Sequence, residues 1–522
     1  MSAAATLPPA PACQPQDDRR THRSLASWAA GVISALVVSG FGFIATPLLV
    51  RWLGDGAWGA WTVVVEWMGY LGLGSMALGP GAMTVFLLRA HTSGQPGALT
   101  AMARRGFRIY LWSAVALAPA AVALAWWAPA GLHASSALLQ PLRWAVALAA
   151  LGGVGLAPTV LFRGVLETVQ RGYYARAALL AQSLLITALS LCWVWMGWGL
   201  VGMAAASVAG MAVGGGLWWW WARHWVPGWR RTPPVALRAR ELWRVNWPLM
   251  LAMAGNQINL FTDNTVVGLS LGAAAVTGFA LTQALPLLAG NRLADIGGVS
   301  WAALGELRAS GGRAFGDRVV EITACLAGAA MVLMATAAVL TPAFVTLWVG
   351  ASHFDGRLLA WATAAAMVVG ALLSFFGWLL DTQGDTRRRL PVSLAGAALN
   401  LGLSLWWVRV WGVAGVALAT LVAYLATDAW FLPRLVVREY GVPGAALARA
   451  LLGALLRGGI WVALAVVAAW KLPAATTWTG LAAEAVAMGL ASLAYCWVLV
   501  LRPPDRARWR GRLRALLGGS AA

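Results

Sequence analysis

The sequence predicts an all-α polytopic membrane protein of about 14 transmembrane helices, built as two parallel six-helix lobes with two further C-terminal helices. Three observations lead there. The 522-residue chain is 60% hydrophobic and 11% charged, with a mean hydropathy of +0.72. Its apolar stretches repeatedly reach about 20 residues, the length a helix needs to cross a bilayer. Of its 38 Lys and Arg residues, 33 fall in alternate gaps between those stretches. Runs rich in Ala, Leu, Val, Gly and Trp exclude a transmembrane barrel, whose strands are about 10 residues long and alternate in polarity.

Residues 1–24 read as a disordered, Pro-rich tail. Spans follow at about 27–50, 58–80, 108–130, 142–162, 177–196, 199–221, 245–268, 273–293, 319–341, 358–380, 391–408, 411–432, 453–470 and 479–501. The first follows a basic stretch at Arg19, Arg20 and Arg23, as a signal peptide would, but it runs to about Val50 without a small-residue cleavage site and reads as a permanent span. Only Arg51, Arg143, Arg357, Arg409 and Lys471 fall on the sparse side. The positive-inside rule therefore predicts a multi-pass protein of the cytoplasmic (inner) membrane with both termini in the cytoplasm. Topology and anionic lipid headgroups account for the net charge of +20, because the arginines flank spans in short loops and form no stripe suited to nucleic acid. Cys13, Cys192, Cys325 and Cys496 have no metal-ligand spacing and read as small packing residues.

The chain also repeats itself. A shift of 213 positions aligns Gly164 with Gly377, Leu166 with Leu379 and Gln170 with Gln383, and lays WGLVGMAAAS at Trp198 to Ser207 over WGVAGVALAT at Trp411 to Thr420. Upstream the shift drifts to about 218, pairing RWLGDGAWGAW after the first span with GLSLGAAAVTGF after the seventh. A shared offset points to duplication, and six-span copies that begin on the same side are parallel repeats. The predicted organisation is a first lobe at 25–222, a basic linker at 223–244, a second lobe at 245–432, two further helices at 433–501 and a basic tail at 502–522.

Three stretches carry a family resemblance: TPLLVRWLGDGAWGAW ending the first span, NQINLFTDNTVVGLSLGAAAVTGF in and after the seventh, and NLGLSLWWVRVWGVAGVALAT at Asn400 to Thr420. Together they resemble the oligosaccharide flippase, or Wzx-type, branch of the multidrug/oligosaccharidyl-lipid/polysaccharide (MOP) exporter superfamily, over about residues 25–500. The resemblance implies a MATE-like arrangement of two lobes around a central cavity and alternating access. It also implies a polyprenyl-diphosphate-linked oligosaccharide as cargo, with a polysaccharide polymerase and glycosyltransferases as functional neighbours. In that family an Asp in the seventh span is often followed by a basic residue; here Asp263 is followed by Asn264.

With no soluble domain of any size, function is sought in polar groups at bilayer depth, which are costly and face a cavity or a partner. Asn256, Asn259 and Asp263 share one helical face, with Gln257 beside them. That face either lines the cavity, holding sugar hydroxyls or a coupling cation, or bonds a neighbouring helix. Glu66 either carries a proton during transport or pairs with Arg51 or another span. Asp428 and Glu484, near span ends, are expected to reach interfacial water. A diphosphate calls for arginine forks; Arg292, Arg89 and Arg163 are the candidates, each also explicable as an ordinary positive-inside anchor. Aromatic belts explain most tryptophans, while Trp67 and Trp301 are candidates for stacking on sugar rings. Pro47, Pro119, Pro158, Pro248 and Pro286 mark bends within spans. No resident cofactor or metal is expected, with coupling to H+ or Na+ left open. The preferred function is lipid-linked oligosaccharide flipping, not enzymatic catalysis. The alternatives are a cation-coupled multidrug exporter, a lipid II flippase and, in a different class, a membrane-embedded glycosyltransferase, against which the short outer loops count.

Overall fold

The computed structural model describes residues 18–76, 80–235, 262–309, 313–381, 388–471 and 474–501, with isolated positions between 241 and 258 and at 506, 507 and 510. Among these, every regular element is helical. The first lobe holds α1 (Asp18–Leu53), α2 (Asp55–Met76), α3 (Pro80–Thr92), α4 (Ala98–Trp127), α5 (Ser136–Leu156), α6 (Val160–Thr168), α7 (Gly172–Trp195) and α8 (Gly199–Ala222). The second holds α9 (Asp263–Leu271), α10 (Ala273–Ala309), α11 (Arg313–Trp348), α12 (Arg357–Asp381), α13 (Leu390–Trp411), α14 (Val413–Ala426) and α15 (Asp428–Tyr440). The appended pair, α16 (Gly444–Lys471) and α17 (Trp478–Tyr495), packs against α11.

Among the described residues, twelve helical segments are long and apolar enough to cross a membrane, and each coincides with one expected span. The expected second span is α2, whose apolarity Glu66, Trp58, Trp61 and Trp67 dilute; beyond it α3 carries the chain on to Thr92. Of the seventh, only scattered positions are described before Thr262, and its end is α9. Pro158 sits in the 3-10 turn Ala157–Thr159 that separates α5 from α6, whereas Pro47, Pro119 and Pro286 lie inside continuous helices. Pro248 falls outside the described residues.

The repeat has a structural counterpart in its turns. Gly199 between α7 and α8 and Gly412 between α13 and α14 both hold positive φ, 50° and 58°. Gly54 between α1 and α2 and Gly272 between α9 and α10 do the same at 76° and 94°. These positive φ values disfavour most side chains, so each pair shares a backbone requirement that glycine meets.

Consecutive spans run antiparallel, which defines a basic end, where most arginine-bearing loops lie, and a far end. At the far end a single buried cluster joins both lobes, including Trp61, Val63 and Leu142 of the first and Val267, Phe279, Leu359 and Val416 of the second. Toward the basic end the lobes keep separate cores. Met83, Leu87, Phe162 and Trp218 belong to the first, and Val319, Phe375, Phe376 and Val436 to the second. The described part of the linker packs against the first lobe. Arg104 donates to the carbonyl of Thr232, Thr100 Oγ1 donates to that of Pro227 at 3.2 Å, and Trp229 packs edge-on against Phe107 and Phe162.

Phe279 is fully buried where the two lobes share their core. Because lipid is as apolar as that core, Phe279→Ala forfeits packing rather than water exclusion. It is expected to lower unfolding stability in detergent by about 3 kcal/mol, the low end for such truncations, as read from denaturant or thermal scans.

Candidate functional site

Helix α2 presents one stripe to the second lobe: Asp55, Gly59, Glu66, Gly69 and Tyr70, spaced three, four and seven residues apart as one helical face requires. At its far end Thr277 Oγ1 donates to the Asp55 carbonyl at 2.7 Å, and the Asp55 carboxylate meets His353 Nε2 at 2.9 Å. Gly59 lies against the backbone of α10; a Cβ there would fall 1.8 Å from the Ala273 oxygen, so no side chain fits. Beside this contact Trp348 stacks on Phe43 and its Nε1 donates to the Phe43 carbonyl at 2.7 Å, tying α11 to α1.

Glu66 stands at the middle of the stripe, 4% exposed. Its carboxylate accepts from Asn264 Nδ2 at 2.7 Å, from the Thr265 amide at 2.9 Å and from Thr265 Oγ1 at 2.7 Å. Thr265 is the third residue of α9, so its N–H is one of the donors that a helix leaves without an internal partner. A carboxylate of the first lobe thus caps a helix of the second, where the helix dipole favours negative charge. The expected pairing with Arg51 is not made: Arg51 is exposed and takes part in none of the described ion pairs, and the partner is α9 instead. Farther along, Tyr70 and Thr262 share a hydrogen bond of 2.5 Å, and Gln257 lies where a side chain at Gly69 would otherwise stand.

Asp263, the first residue of α9, turns toward α13 and α14 of its own lobe. The single proton of the Thr420 hydroxyl faces three acceptors: Asp263 Oδ2 at 3.2 Å, Asn400 Oδ1 at 3.2 Å and the Val416 carbonyl at 3.3 Å. Ser404 Oγ lies 3.3 Å from the same Asn400 oxygen. Next to Asp263, Asn264 Oδ1 is buried and makes no hydrogen bond in the structure. Asp263 thus shares one hydroxyl proton with two other acceptors, and the Asn264 oxygen beside it has none.

Asn256 and Asn259 lie outside the described residues, so of the expected polar face Asp263 and Gln257 are seen. The three candidate arginines are not gathered into one cluster by the described contacts. Arg163 pairs with Glu167 at 2.9 Å and Arg292 with Asp295 at 3.3 Å, each on its own helix, and Arg89 lies 5.8 Å over the Phe86 ring. Trp67 is not a platform for sugars: it is 5% exposed, packed in the shared core. The Trp301 side chain lies outside the described residues. Asp428 does not reach interfacial water, being 8% exposed beside Thr427 at the start of α15. Cys192 is exposed rather than packed. In the far-end loop, burial against α10 pushes the Asp355 carboxyl above its ordinary range, partly offset by His353.

Sequence reasoning missed the partners. In the sequence Asn264 reads only as the absence of a cation after Asp263, and nothing marks Thr265. Asn400 and Thr420 stood merely at the two ends of a small-residue pattern. The signal available was the run of donors Thr262, Asn264 and Thr265 around an acid at the start of a helix.

The tight contact at Gly59 yields a direct test. In a chain carrying Asp55→Cys and His353→Cys with its native cysteines replaced by serine, a short bis-thiol reagent is expected to cross-link the lobes, because the native side chains meet tip to tip. Gly59→Leu in that background is expected to abolish most of the cross-link on a non-reducing gel, since the longer side chain forces α2 from α10.

No curated protein matches the chain in sequence. Among solved structures, the fold is similar to the lipid II flippase MurJ in an inward closed conformation, with a TM-score of 0.66 at 12% identity, covering 90% of this chain and 98% of that one. It is also similar to a multidrug resistance MATE family transporter of the MOP superfamily in an inward-facing conformation, with a TM-score of 0.55 at 14% identity, covering 82% and 98%. The family model for polysaccharide biosynthesis proteins matches residues 24–300, more than half of the chain, and the chain, with its MOP-type fold, belongs to that family.

Proposed function

We propose that the protein flips a polyprenyl-diphosphate-linked oligosaccharide from the inner to the outer leaflet of the cytoplasmic membrane by alternating access, for surface polysaccharide assembly. The observation that carries this reading is the asymmetry of the lobe contact. The lobes share one buried core and the Glu66 cap at the far end, and keep separate cores toward the basic end. The positive-inside rule assigns the basic end and both termini to the cytoplasm, so the cargo enters there, among exposed Arg89 and Arg292 and half-buried Arg163. An arginine fork suits a diphosphate, while the sugar moves with the cavity. The family supports polysaccharide assembly as the setting, with a polymerase and glycosyltransferases acting before and after the flip.

Export then requires the far-end seam to part. A protonated Glu66 turns one of its acceptor oxygens into a donor among three groups of which two, Asn264 Nδ2 and the Thr265 amide, only donate, so protonation weakens the cap. The Asp263 carboxylate, left with a share of the one Thr420 proton, suits a monovalent cation in exchange, with the Asn400 oxygen beside it. Both groups act on α9, which couples an ion or proton to lobe movement.

The test is rescue of surface polysaccharide in a host deleted for its own oligosaccharide flippase. Glu66→Gln and Asp263→Asn are each expected to reduce export about tenfold or more at equal membrane levels, equivalent to about 1.4 kcal/mol of lost coupling. Normal export by both variants contradicts the site. Rescue of lipid II transport instead, or drug resistance without polysaccharide rescue, contradicts the cargo. Reporter fusions at the two termini are expected to be active only in the cytoplasm.

A further inference from the structure

A cavity of about 390 Å3 lies away from the inter-lobe seam, between α11, α12, α16 and α17 near the far end. Its size falls in the range of small-molecule pockets. Alanines make up much of its wall, Ala338, Ala465 and Ala487 among them, and the rings of Trp361 and Trp461 border it. Two charged side chains also line this otherwise apolar space, Arg357 and Glu484. Arg357 is exposed and Glu484 half-buried, so the charges stand at the mouth of the recess. Arg357 donates to the Ala469 carbonyl, which leaves most of its guanidinium donors unused. Glu484 is half-buried and takes part in none of the described hydrogen bonds or ion pairs. The two line one cavity without forming an ion pair with each other, so an occupant with both signs of charge fits between them.

Their depth agrees with such an occupant. Arg357 opens α12, and Ala469 lies two residues before the far end of α16. Glu484 is six residues into α17, but side chains lean toward the N-terminus of their helix, and for α17 that is the far end. The carboxylate is thereby lifted about one turn toward the level of the guanidinium. Both charges reach the headgroup region of one leaflet, with the alanine-lined recess beneath them.

We propose that this cavity binds an aminophospholipid, its phosphate on Arg357, its primary ammonium on Glu484 and one acyl chain in the recess. A primary ammonium offers three N–H donors to a carboxylate. A choline headgroup carries the same charge and offers none. A purely anionic headgroup satisfies Arg357 but sets a second negative charge against Glu484. The lipid joins the appended helices α16 and α17 to the second lobe, independently of what the lobes transport.

The experiment is native mass spectrometry of the full chain, purified and re-lipidated with equimolar palmitoyl-oleoyl phosphatidylethanolamine, phosphatidylcholine and phosphatidylglycerol. Retention of phosphatidylethanolamine is expected to exceed that of phosphatidylcholine about tenfold, as one charge-assisted hydrogen-bonded contact implies. Glu484→Gln is expected to bring that ratio to about one while phosphatidylcholine stays bound, which reports an intact cavity. Glu484→Asp, which keeps the charge, retains the preference. Arg357→Gln lowers retention of all three lipids, and Ala487→Phe, which fills the recess, abolishes it. Equal retention of the ethanolamine and choline lipids by the unaltered protein overturns the proposal. So does a preference that survives Glu484→Gln, or one for phosphatidylglycerol.

Discussion

A carboxylate from one lobe capping a helix of the other is the interaction on which the arrangement depends. Burying Glu66 costs several kcal/mol in lost hydration, and α9 returns that cost through three hydrogen bonds to a charged acceptor, each worth about 1.5–3 kcal/mol. Two large terms of opposite sign leave a small net. Such a contact holds the lobes together and yet parts when the charge on Glu66 is neutralised or when α9 moves. The rest of the α2 stripe is built for the same closeness, with Gly59 admitting the α10 backbone and Gly69 admitting Gln257. A permanent joint would be better served by apolar packing, which fills the seam on either side of Glu66.

The position of α9 joins the latch to the oxygen cluster. Asp263 faces α13 and α14 while its neighbours Asn264 and Thr265 face α2, so one short helix touches both lobes through adjacent residues. A change at either side is felt at the other through a rigid element rather than along a chain of side chains. The duplicated turns at Gly54 and Gly272 set the entries of α2 and α10, the two helices that approach most closely at Gly59. The repeat thereby places equivalent helices face to face across the seam.

Much of the fold was legible because bilayer length and arginine sidedness are strong, local signals. Twelve of the fourteen expected spans coincide with helices of membrane-crossing length and apolarity among the described residues. Glu66 and Asp263 stood out because a carboxylate at bilayer depth is costly wherever it sits. Their partners were not legible: Thr265 is 199 positions from Glu66, and Thr420 is 157 from Asp263, separations over which one sequence carries no pairing information. Trp67 illustrates a different limit. Belt, platform and core tryptophans have the same local sequence environment in apolar helices, and only packing tells that Trp67 is interior.

The central claim is that the far-end seam is closed by the Glu66 cap and opens when that cap is lost. Distance measurements between spin labels at Trp52→Cys and Leu358→Cys, exposed far-end positions on opposite lobes, test it directly in a chain with its native cysteines replaced by serine. The account predicts a single short distance at neutral pH, joined by a longer population in Glu66→Gln. An unchanged distance distribution in Glu66→Gln, in protein that remains folded, would contradict it.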